Sequence, residues 1–127
     1  MKVSVIMPVY NASAALPRSL ESLRGQSFRD FEVIFVDDGS SDGSPALIEA
    51  FAAEGLFPCQ VLRQERNGGV AAARNRALQA AQGTFLAFLD ADDRMAPDLL
   101  EKAVAKAEST QADIVGWDWK VCSGEGG

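Results

Sequence analysis

The sequence predicts an α/β domain in which a mostly parallel sheet carries helices on both faces. Short apolar segments rich in Val, Ile and Phe alternate along the whole chain with longer segments whose apolar residues recur every three or four positions. Such strand-helix alternation is typical of a parallel sheet, because each helix carries the chain back for the next parallel strand. The strand segments also end in polar or acidic loops, and in parallel sheets ligands bind beyond those strand ends.

Composition limits the class of protein. The 127 residues suffice for one domain with a sizeable core, and 47% of them are hydrophobic, with a mean hydropathy of −0.02. The chain has 18 acidic and 12 basic residues, so a broad nucleic-acid surface is excluded. It has no histidine, which excludes histidine-based acid-base catalysis and a zinc site with histidine ligands in this chain.

The cysteines and the hydropathy pattern favour a cytoplasmic protein. Cys59 and Cys122 lie far apart and form no CxxC motif, as expected of reduced thiols. The N-terminus enters a strand without a cleavable signal pattern. No segment approaches the roughly 18 to 20 consecutive apolar residues that a membrane span needs.

The first strand is predicted at residues 2–9, and a helix follows that ends near residue 24. Asn11 and Ser13 are both suitable to cap this helix. Pro17 is tolerated only in the first helical turn, so the helix is expected to begin late.

The rest of the chain repeats this alternation. Ser44 and Pro45 favour a cap followed by the first helical position. The remaining strands are predicted at residues 31–36, 59–63, 84–89 and 114–119, and the remaining helices at 45–54, 70–82 and 97–109. The strand at 84–89 is expected to be central and buried.

That strand ends abruptly in an acidic cluster of Asp90, Asp92 and Asp93. Carboxylates are costly inside a buried strand, so they must lie at its mouth. In an extended segment Asp90 and Asp92 would point the same way, a spacing that suits a hard divalent cation. The alternative is a solvated turn in which an aspartate caps the next helix.

Loops after the first, second and fourth strands should meet at one edge of the sheet. They carry Tyr10 and Asn11, then Asp37 and Asp38, then the acidic cluster. Two acidic groups at one edge repel each other without a cation or a bound ligand. The convergence favours a ligand site over two unrelated turns.

Three common nucleotide-binding patterns do not fit. A dinucleotide fold should have a glycine-rich turn after the first strand, where this chain has Pro8-Val9-Tyr10-Asn11. A phosphate loop ending in Gly-Lys-Ser/Thr is absent from the sequence. A phospho-aspartate receiver pocket would need a lysine after a late strand, and nothing fits that pattern cleanly.

Four ordered segments resemble the donor half of an inverting family-2 glycosyltransferase with the GT-A fold, a Rossmann-like fold of nucleotide-diphospho-sugar transferases. They are residues 3–11, 36–42, 67–75 and 88–93, and the resemblance covers residues 2 to about 118. It implies transfer of a sugar from a nucleotide-diphosphate sugar, expected to be a UDP-sugar, with inversion. The acceptor would be a hydroxyl of a carbohydrate or lipid-linked saccharide, as in cell-envelope polysaccharide synthesis.

The resemblance also implies roles for individual residues. Asp92 would bind a divalent cation, Mn²⁺ or Mg²⁺, and Asp90 would contact the cation or the ribose. Asp38 would accept a hydrogen bond from the base, and Pro8 and Tyr10 would form the wall against which the base packs. The other expected nucleotide-sugar-binding residues are Val9, Gly69, Arg74 and Ala91.

Each of these residues also has an ordinary structural interpretation. Tyr10 is equally compatible with a half-buried loop aromatic. Gly68-Gly69 also suits a plain turn into a helix, although a helix N-terminus favours negative charge. Arg74 is expected to reach the nucleotide or to brace the acidic loop, and Arg76 to lie on the surface; the alternative for Arg74 is a surface salt bridge.

The catalytic base of the inverting reaction has no clear candidate here. In relatives it is an Asp or Glu beyond the acidic cluster, in the acceptor-binding half. We therefore expect residues 1–120 to form a nucleotide-sugar-binding domain truncated before that half, residues 121–127 to be a flexible tail, and transfer by this chain to be weak or absent. A missing part could hold the protein at the inner membrane face. The alternative is a non-catalytic nucleotide or nucleotide-sugar binding module.

Overall fold

The computed structural model describes residues 2–64, 69–93 and 95–110, and in this part of the chain strands and helices alternate as predicted. The predicted strand at 114–119 and the predicted tail lie outside the described residues. No helix in the described part is long and apolar enough to cross a membrane. The elements are β1 (Val3–Val9), α1 (Leu16–Arg24), β2 (Phe31–Asp37), α2 (Ser44–Ala53), β3 (Cys59–Arg63), α3 (Gly69–Ala80), β4 (Phe85–Phe88) and α4 (Leu99–Thr110).

The four described strands form one parallel sheet in the order β3-β2-β1-β4. From β1 the chain adds β2 and then β3 on one side, and it returns to place β4 on the other side of β1. Parallel sheets open a crevice where the strand order reverses in this way. The carboxyl end of β1, between β2 and β4, is therefore the place at which this fold can bind a ligand.

Helices cover both faces of the sheet, as predicted. One core packs alternate residues of β1 and β2 against apolar residues of α1, α2 and α4. The other packs Ile6, Ile34 and Val36 against Ala73 and Ala77 of α3. The alternation of side chains along a strand explains the division, because neighbouring residues of β1 and β2 face opposite cores.

The predicted cap of α1 is wrong. The helix begins at Leu16 with Ala15 in the cap position, and no side chain caps it. Asn11 and Ser13 instead bond to the loop after β2: the Asn11 side chain accepts a hydrogen bond from the Ser41 N–H, at 2.8 Å. The late start of the helix is confirmed, because Pro17 lies in its first turn.

The predicted cap of α2 is displaced by one residue. Ser44 is the first residue of this helix and Gly43 takes the cap position, where no side chain caps the helix. The Ser44 hydroxyl is engaged elsewhere, since it accepts a hydrogen bond from the N–H of Ala12 at 2.9 Å. The Ser44 hydroxyl thus makes a long-range hydrogen bond instead of the predicted local cap.

The prediction that β4 is a central, buried strand is also wrong for the described sheet. There β4 lies at one end and pairs only with β1. Phe85, Leu86 and Phe88 are half-buried, and Ala87 alone of the four strand residues is fully buried. The middle positions belong to β1 and β2, whose residues are almost all buried.

A buried carboxylate at the opposite edge of the sheet anchors the connection between α3 and β4. Glu32, only 2% exposed, accepts hydrogen bonds from the Ser4 hydroxyl at 2.6 Å and from the N–H of Gln82 at 2.7 Å. The Ser4 oxygen in turn accepts a bond from the N–H of Gly83, at 2.7 Å. These partners compensate for the burial of the carboxylate and hold the start of β4 against β1.

We predict that Gly83→Ala destabilises the protein by about 1–3 kcal/mol. A Cβ at this position would lie 2.5 Å from the backbone nitrogen of Ser4 and 2.6 Å from the carbonyl carbon of Val3. Neither backbone atom can move without disturbing the pairing of β1. Urea denaturation measures the effect. Gly25→Ala is the control, because its Cβ would meet only the Glu21 carbonyl oxygen at an ordinary 3.6 Å; equal losses in both variants would contradict the prediction.

Candidate functional site

A cavity of about 380 Å³ opens at the carboxyl ends of β1, β2 and β4. Its volume falls in the range of small-molecule sites. Its walls come from all three loops that the sequence predicted to converge. The lining residues are Pro8, Val9, Tyr10, Asn11, Ala12, Ala14, Ala15, Asp38, Ala73, Asp90, Ala91 and Asp92.

Most of the predicted site residues meet in this cavity. Those that line it are Pro8, Val9, Tyr10, Asp38, Asp90, Ala91 and Asp92. Gly69 is the first residue of α3, and Arg74, one turn further along that helix, reaches Asp90. The remaining small residues of the lining carry no chemical signal in the sequence and are recognisable only from their position; they are Ala12, Ala14, Ala15 and Ala73.

The acidic cluster gathers three carboxylates. Oxygens of Asp90, Asp92 and Asp93 all lie within 4.8 Å of one another. The segment is a turn rather than an extended chain, since the N–H of Asp93 donates to the Asp90 carbonyl at 3.0 Å. The predicted extended conformation of residues 90–92 is therefore wrong. The alternative is right about the turn but wrong about the cap, because α4 begins only at Leu99.

This donor set fits a hard divalent cation. Three carboxylate oxygens at such separations are suitable ligands for Mn²⁺ or Mg²⁺. Asp90 and Asp92 are exposed, and Asp93 is half-buried. A cation can thus reach the cluster from the cavity, and the local negative charge favours its binding.

A buried serine of α1 holds the acidic turn in place. The Ser19 hydroxyl is directed at the carbonyl oxygens of Ala91 and Asp93, and the distance to the Ala91 oxygen is 2.6 Å. Ser19 is only 1% exposed. The sequence contained a signal for it: Ser19 lies beside Leu20 on the apolar face of α1, and a buried hydroxyl needs a partner.

Arg74 braces the same turn from α3. Its guanidinium Nη2 lies 3.7 Å from Oδ1 of Asp90, and its Cζ lies 5.4 Å from the centre of the Phe88 ring. Nε of Arg74 is buried and has no hydrogen-bond partner among the described residues. Bracing was one of the two roles expected of Arg74. Arg76, expected on the surface, is exposed and donates to the Arg63 carbonyl.

The opposite wall of the cavity places an acid beside an aromatic residue. Asp38 is 4% exposed, its N–H donates to the Val9 carbonyl at 2.8 Å, and its Oδ1 accepts a bond from Nε2 of Gln64 at 2.6 Å. Tyr10 is 50% exposed at the cavity mouth. The carboxylate is thus fixed, while the aromatic ring remains accessible.

Asp37, the neighbouring acid, has a different position. It is fully buried at the end of β2, where its Oδ2 accepts a bond from the N–H of Ser40 at 3.4 Å and lies 3.7 Å from Nε of Arg63. These contacts orient the start of the loop after β2. Of the two adjacent acids, Asp38 is the one that lines the cavity.

Comparison with known proteins identifies the family. The sequence model of Glycosyl transferase family 2 matches residues 4–127. Two glycosyltransferases of Bacillus subtilis (strain 168) are similar: the uncharacterized EpsJ is 37% identical over 90% of this chain and 33% of its own, and the uncharacterized YfnE is 42% identical over 94% and 31%. The chain therefore belongs to glycosyl transferase family 2, and it spans about a third of the length of these relatives.

Two solved structures share the fold. S. aureus TarS 1–349 in complex with UDP-GlcNAc superposes with a TM-score of 0.81 at 36% identity, over 87% of this chain and 32% of that one. The mannosyltransferase PcManGT from Pyrobaculum calidifontis, in complex with GDP-Man and Mn²⁺, gives 0.78 at 32% identity, over 84% and 32%. The predicted GT-A fold is thereby confirmed.

We predict that Ser19→Ala lowers the free energy of unfolding by about 1–3 kcal/mol, because the buried Ala91 carbonyl oxygen and the partly buried Asp93 carbonyl oxygen lose their shared donor. Chemical denaturation measures the change. Ser22→Ala is the matched control on the same helix, since the Ser22 hydroxyl donates to the Ser19 carbonyl of its own helix. The control is expected to stay within about 0.5 kcal/mol of the wild type. A larger loss in Ser22→Ala than in Ser19→Ala would refute the anchoring role.

Proposed function

We propose that this member of glycosyl transferase family 2 binds a nucleotide-diphosphate sugar, with a UDP-sugar as the expected donor, in the cavity at the carboxyl edge of its sheet. The observation that carries the proposal is the placement of Asp38 and the acidic turn on two walls of one cavity. A donor of this class has a base at one end and a diphosphate at the other. The ligands bound in the TarS and PcManGT structures, UDP-GlcNAc and GDP-Man with Mn²⁺, support this donor class.

The acidic turn would receive the diphosphate end through a divalent cation. Asp92 and Asp90 would hold the cation, and Asp93 offers a third carboxylate within reach. Bound there, the cation would neutralise the diphosphate and stabilise its departure. Arg74 already faces Asp90, so its guanidinium can contribute a second positive charge beside the diphosphate.

The opposite wall would receive the nucleoside. The Asp38 carboxylate would accept a hydrogen bond from a base N–H, and its bond from Gln64 holds it in one orientation. Pro8 and Tyr10 would pack against the face of the base. Val9 and Ala91 line the cavity between the two ends, and Gly69 opens α3, whose N-terminus favours negative charge.

The reaction we propose is a single displacement at the anomeric carbon, with inversion. The acceptor hydroxyl, expected on a carbohydrate or lipid-linked saccharide, must lose its proton to a general base. The described acids of the α4 region already have other partners. Asp98 pairs with Lys102 at 3.0 Å. Glu108 pairs with Lys2 at 2.6 Å.

Neither Asp98 nor Glu108 is among the described residues that line the cavity. We propose that the base lies outside residues 1–120, which would form the donor-binding domain. The second candidate function is a binding module without transfer activity, and the contacts of Asp98 and Glu108 are compatible with it as well. A nucleotide site alone satisfies both candidates, and a transfer assay separates them.

We predict that the chain binds UDP more tightly with Mn²⁺ than without it, and that Asp92→Ala removes the difference. Loss of a cation ligand should weaken Mn²⁺-dependent binding by at least about tenfold. Isothermal titration calorimetry measures it. Glu49→Ala, at an exposed position of α2, removes one negative charge away from the cavity and should bind like the wild type. Preference for another nucleoside diphosphate would change the donor but keep the enzyme class; binding of none would refute the proposal.

We further predict little or no sugar transfer by this chain alone, even where the donor binds. A positioned general base contributes about 10²–10⁴-fold to such reactions. Release of UDP from UDP-GlcNAc in the presence of a hydroxyl acceptor should therefore stay close to the rate without protein. Turnover at the roughly 1–10³ s⁻¹ of typical enzymes would show that the chain holds its own base.

A further inference from the structure

The two loops on the nucleoside side of the cavity are joined to each other by a set of hydrogen bonds, here called the interloop clamp. Three consecutive backbone N–H groups of the loop after β1 each donate to a side-chain oxygen that follows β2. The bonds are Asn11 N–H to Ser40 Oγ at 2.9 Å, Ala12 N–H to Ser44 Oγ at 2.9 Å, and Ser13 N–H to Asp42 Oδ2 at 3.1 Å.

The clamp also includes a bond in the opposite direction. Oδ1 of Asn11 accepts a hydrogen bond from the N–H of Ser41, at 2.8 Å. Asn11 has a φ of 45°, and it is the non-glycine residue with positive φ in the described part of the chain. Asn tolerates this left-handed region better than most residues. A strained backbone position is thus maintained where the two loops meet.

Asp42 occupies the centre of the clamp. Its Oδ2 accepts the bond from the N–H of Ser13, and its Oδ1 accepts one from the N–H of Ser44 at 2.9 Å. These hydrogen bonds, first those from Ser44 and then those from Ser13, hold the pKa of Asp42 well below its ordinary value. The carboxylate is therefore ionised at neutral pH and remains a strong acceptor for both bonds.

The position of the clamp relates it to the site. Tyr10 directly precedes Asn11, and Asp38 lies two residues before Ser40. Both Tyr10 and Asp38 line the cavity, whereas Asp42 and Ser40 are not among its described lining residues. Any influence of Asp42 and Ser40 on a ligand must therefore act through the two loops that they join.

We propose that Asp42 and Ser40 are positioning residues for the nucleoside, which fix the separation of Tyr10 and Asp38 before the ligand arrives. The inference rests on the proposed function. A site whose walls are already ordered loses less conformational freedom on binding, and the ligand binds more tightly as a result. The acidic turn is held by Ser19 and Arg74 instead, so cation binding should not depend on the clamp.

The test compares UDP binding, Mn²⁺ binding and stability in the same variants. Asp42→Ala and Ser40→Ala should each weaken UDP binding in the presence of Mn²⁺ by about tenfold, the equivalent of about 1.4 kcal/mol. Affinity for Mn²⁺ alone and the urea midpoint should stay at the wild-type values. Asp42→Asn keeps one acceptor oxygen, so its UDP affinity should lie between those of Asp42→Ala and the wild type. Ser40→Thr keeps the hydroxyl, so its UDP affinity should equal that of the wild type. Glu49→Ala is the charge control, on the exposed side of α2.

Amide hydrogen exchange shows the clamp without any ligand. The N–H of Ser13 should exchange faster in Asp42→Ala than in the wild type. Faster exchange with unchanged UDP affinity would overturn the positioning role and leave the proposed function intact. Equal weakening of UDP binding, Mn²⁺ binding and stability would show that Asp42 has only a structural role, and this result would also overturn the positioning role. A wild-type chain that binds no nucleoside diphosphate would refute the proposed function, and this inference with it.

Discussion

The parallel pairing of β1 with both β2 and β4 determines where everything else in this molecule lies. Because all three strands run the same way, their carboxyl ends reach one edge of the sheet. The register places Val9 opposite Asp37, so that Asp38 begins the next loop immediately beside the end of β1. The pairing of Ile6 with Phe88 places Leu89 and the acidic turn on the other side. The cavity is a consequence of strand order rather than of any one motif.

This arrangement brings several carboxylates to one edge of the sheet. The structure compensates for their charge in a different way on each side of the cavity. The carboxylates of the acidic turn repel one another, and Arg74 faces one of them, Asp90, at 3.7 Å. With 43% of its side chain exposed, Arg74 offers a screened and modest compensation. Asp38 is instead buried and receives a hydrogen bond from Gln64. Asp90 and Asp92 are exposed at the cavity, where their negative charge favours a cation, whereas Asp38 is already partly satisfied.

The sequence predicted the order of the described elements and most of the cavity because both follow from periodicity and from the direction of parallel strands. The predictions were wrong where a side chain can form either a local or a long-range hydrogen bond. The side chains of Asn11 and Ser44 have the chemistry of local helix caps, yet Oδ1 of Asn11 accepts a hydrogen bond from the Ser41 N–H and the Ser44 hydroxyl accepts one from the Ala12 N–H. Ser19 could be recognised as a buried hydroxyl on the apolar face of α1, but its partners lie more than 70 residues away. Long-range partners of this kind do not appear in a local pattern.

The two ends of the cavity are thus held by contacts of different kinds, hydrogen bonds between loops at one end and an ion pair at the other. This difference bears on how the proposed donor would bind. On the side of Tyr10 and Asp38, four loop amides and their side-chain acceptors hold Asn11 in the left-handed region. On the acidic side, the contacts of the turn include the Ser19 hydroxyl and the ion pair of Arg74 with Asp90 at 3.7 Å. A long ion pair between partly exposed groups contributes little stability, so it constrains the Asp90 side chain weakly. A rigid wall suits the flat face of a base, whose shape is constant. A weakly constrained carboxylate would suit the cation and diphosphate of the proposed donor, because their coordination would change when the sugar leaves.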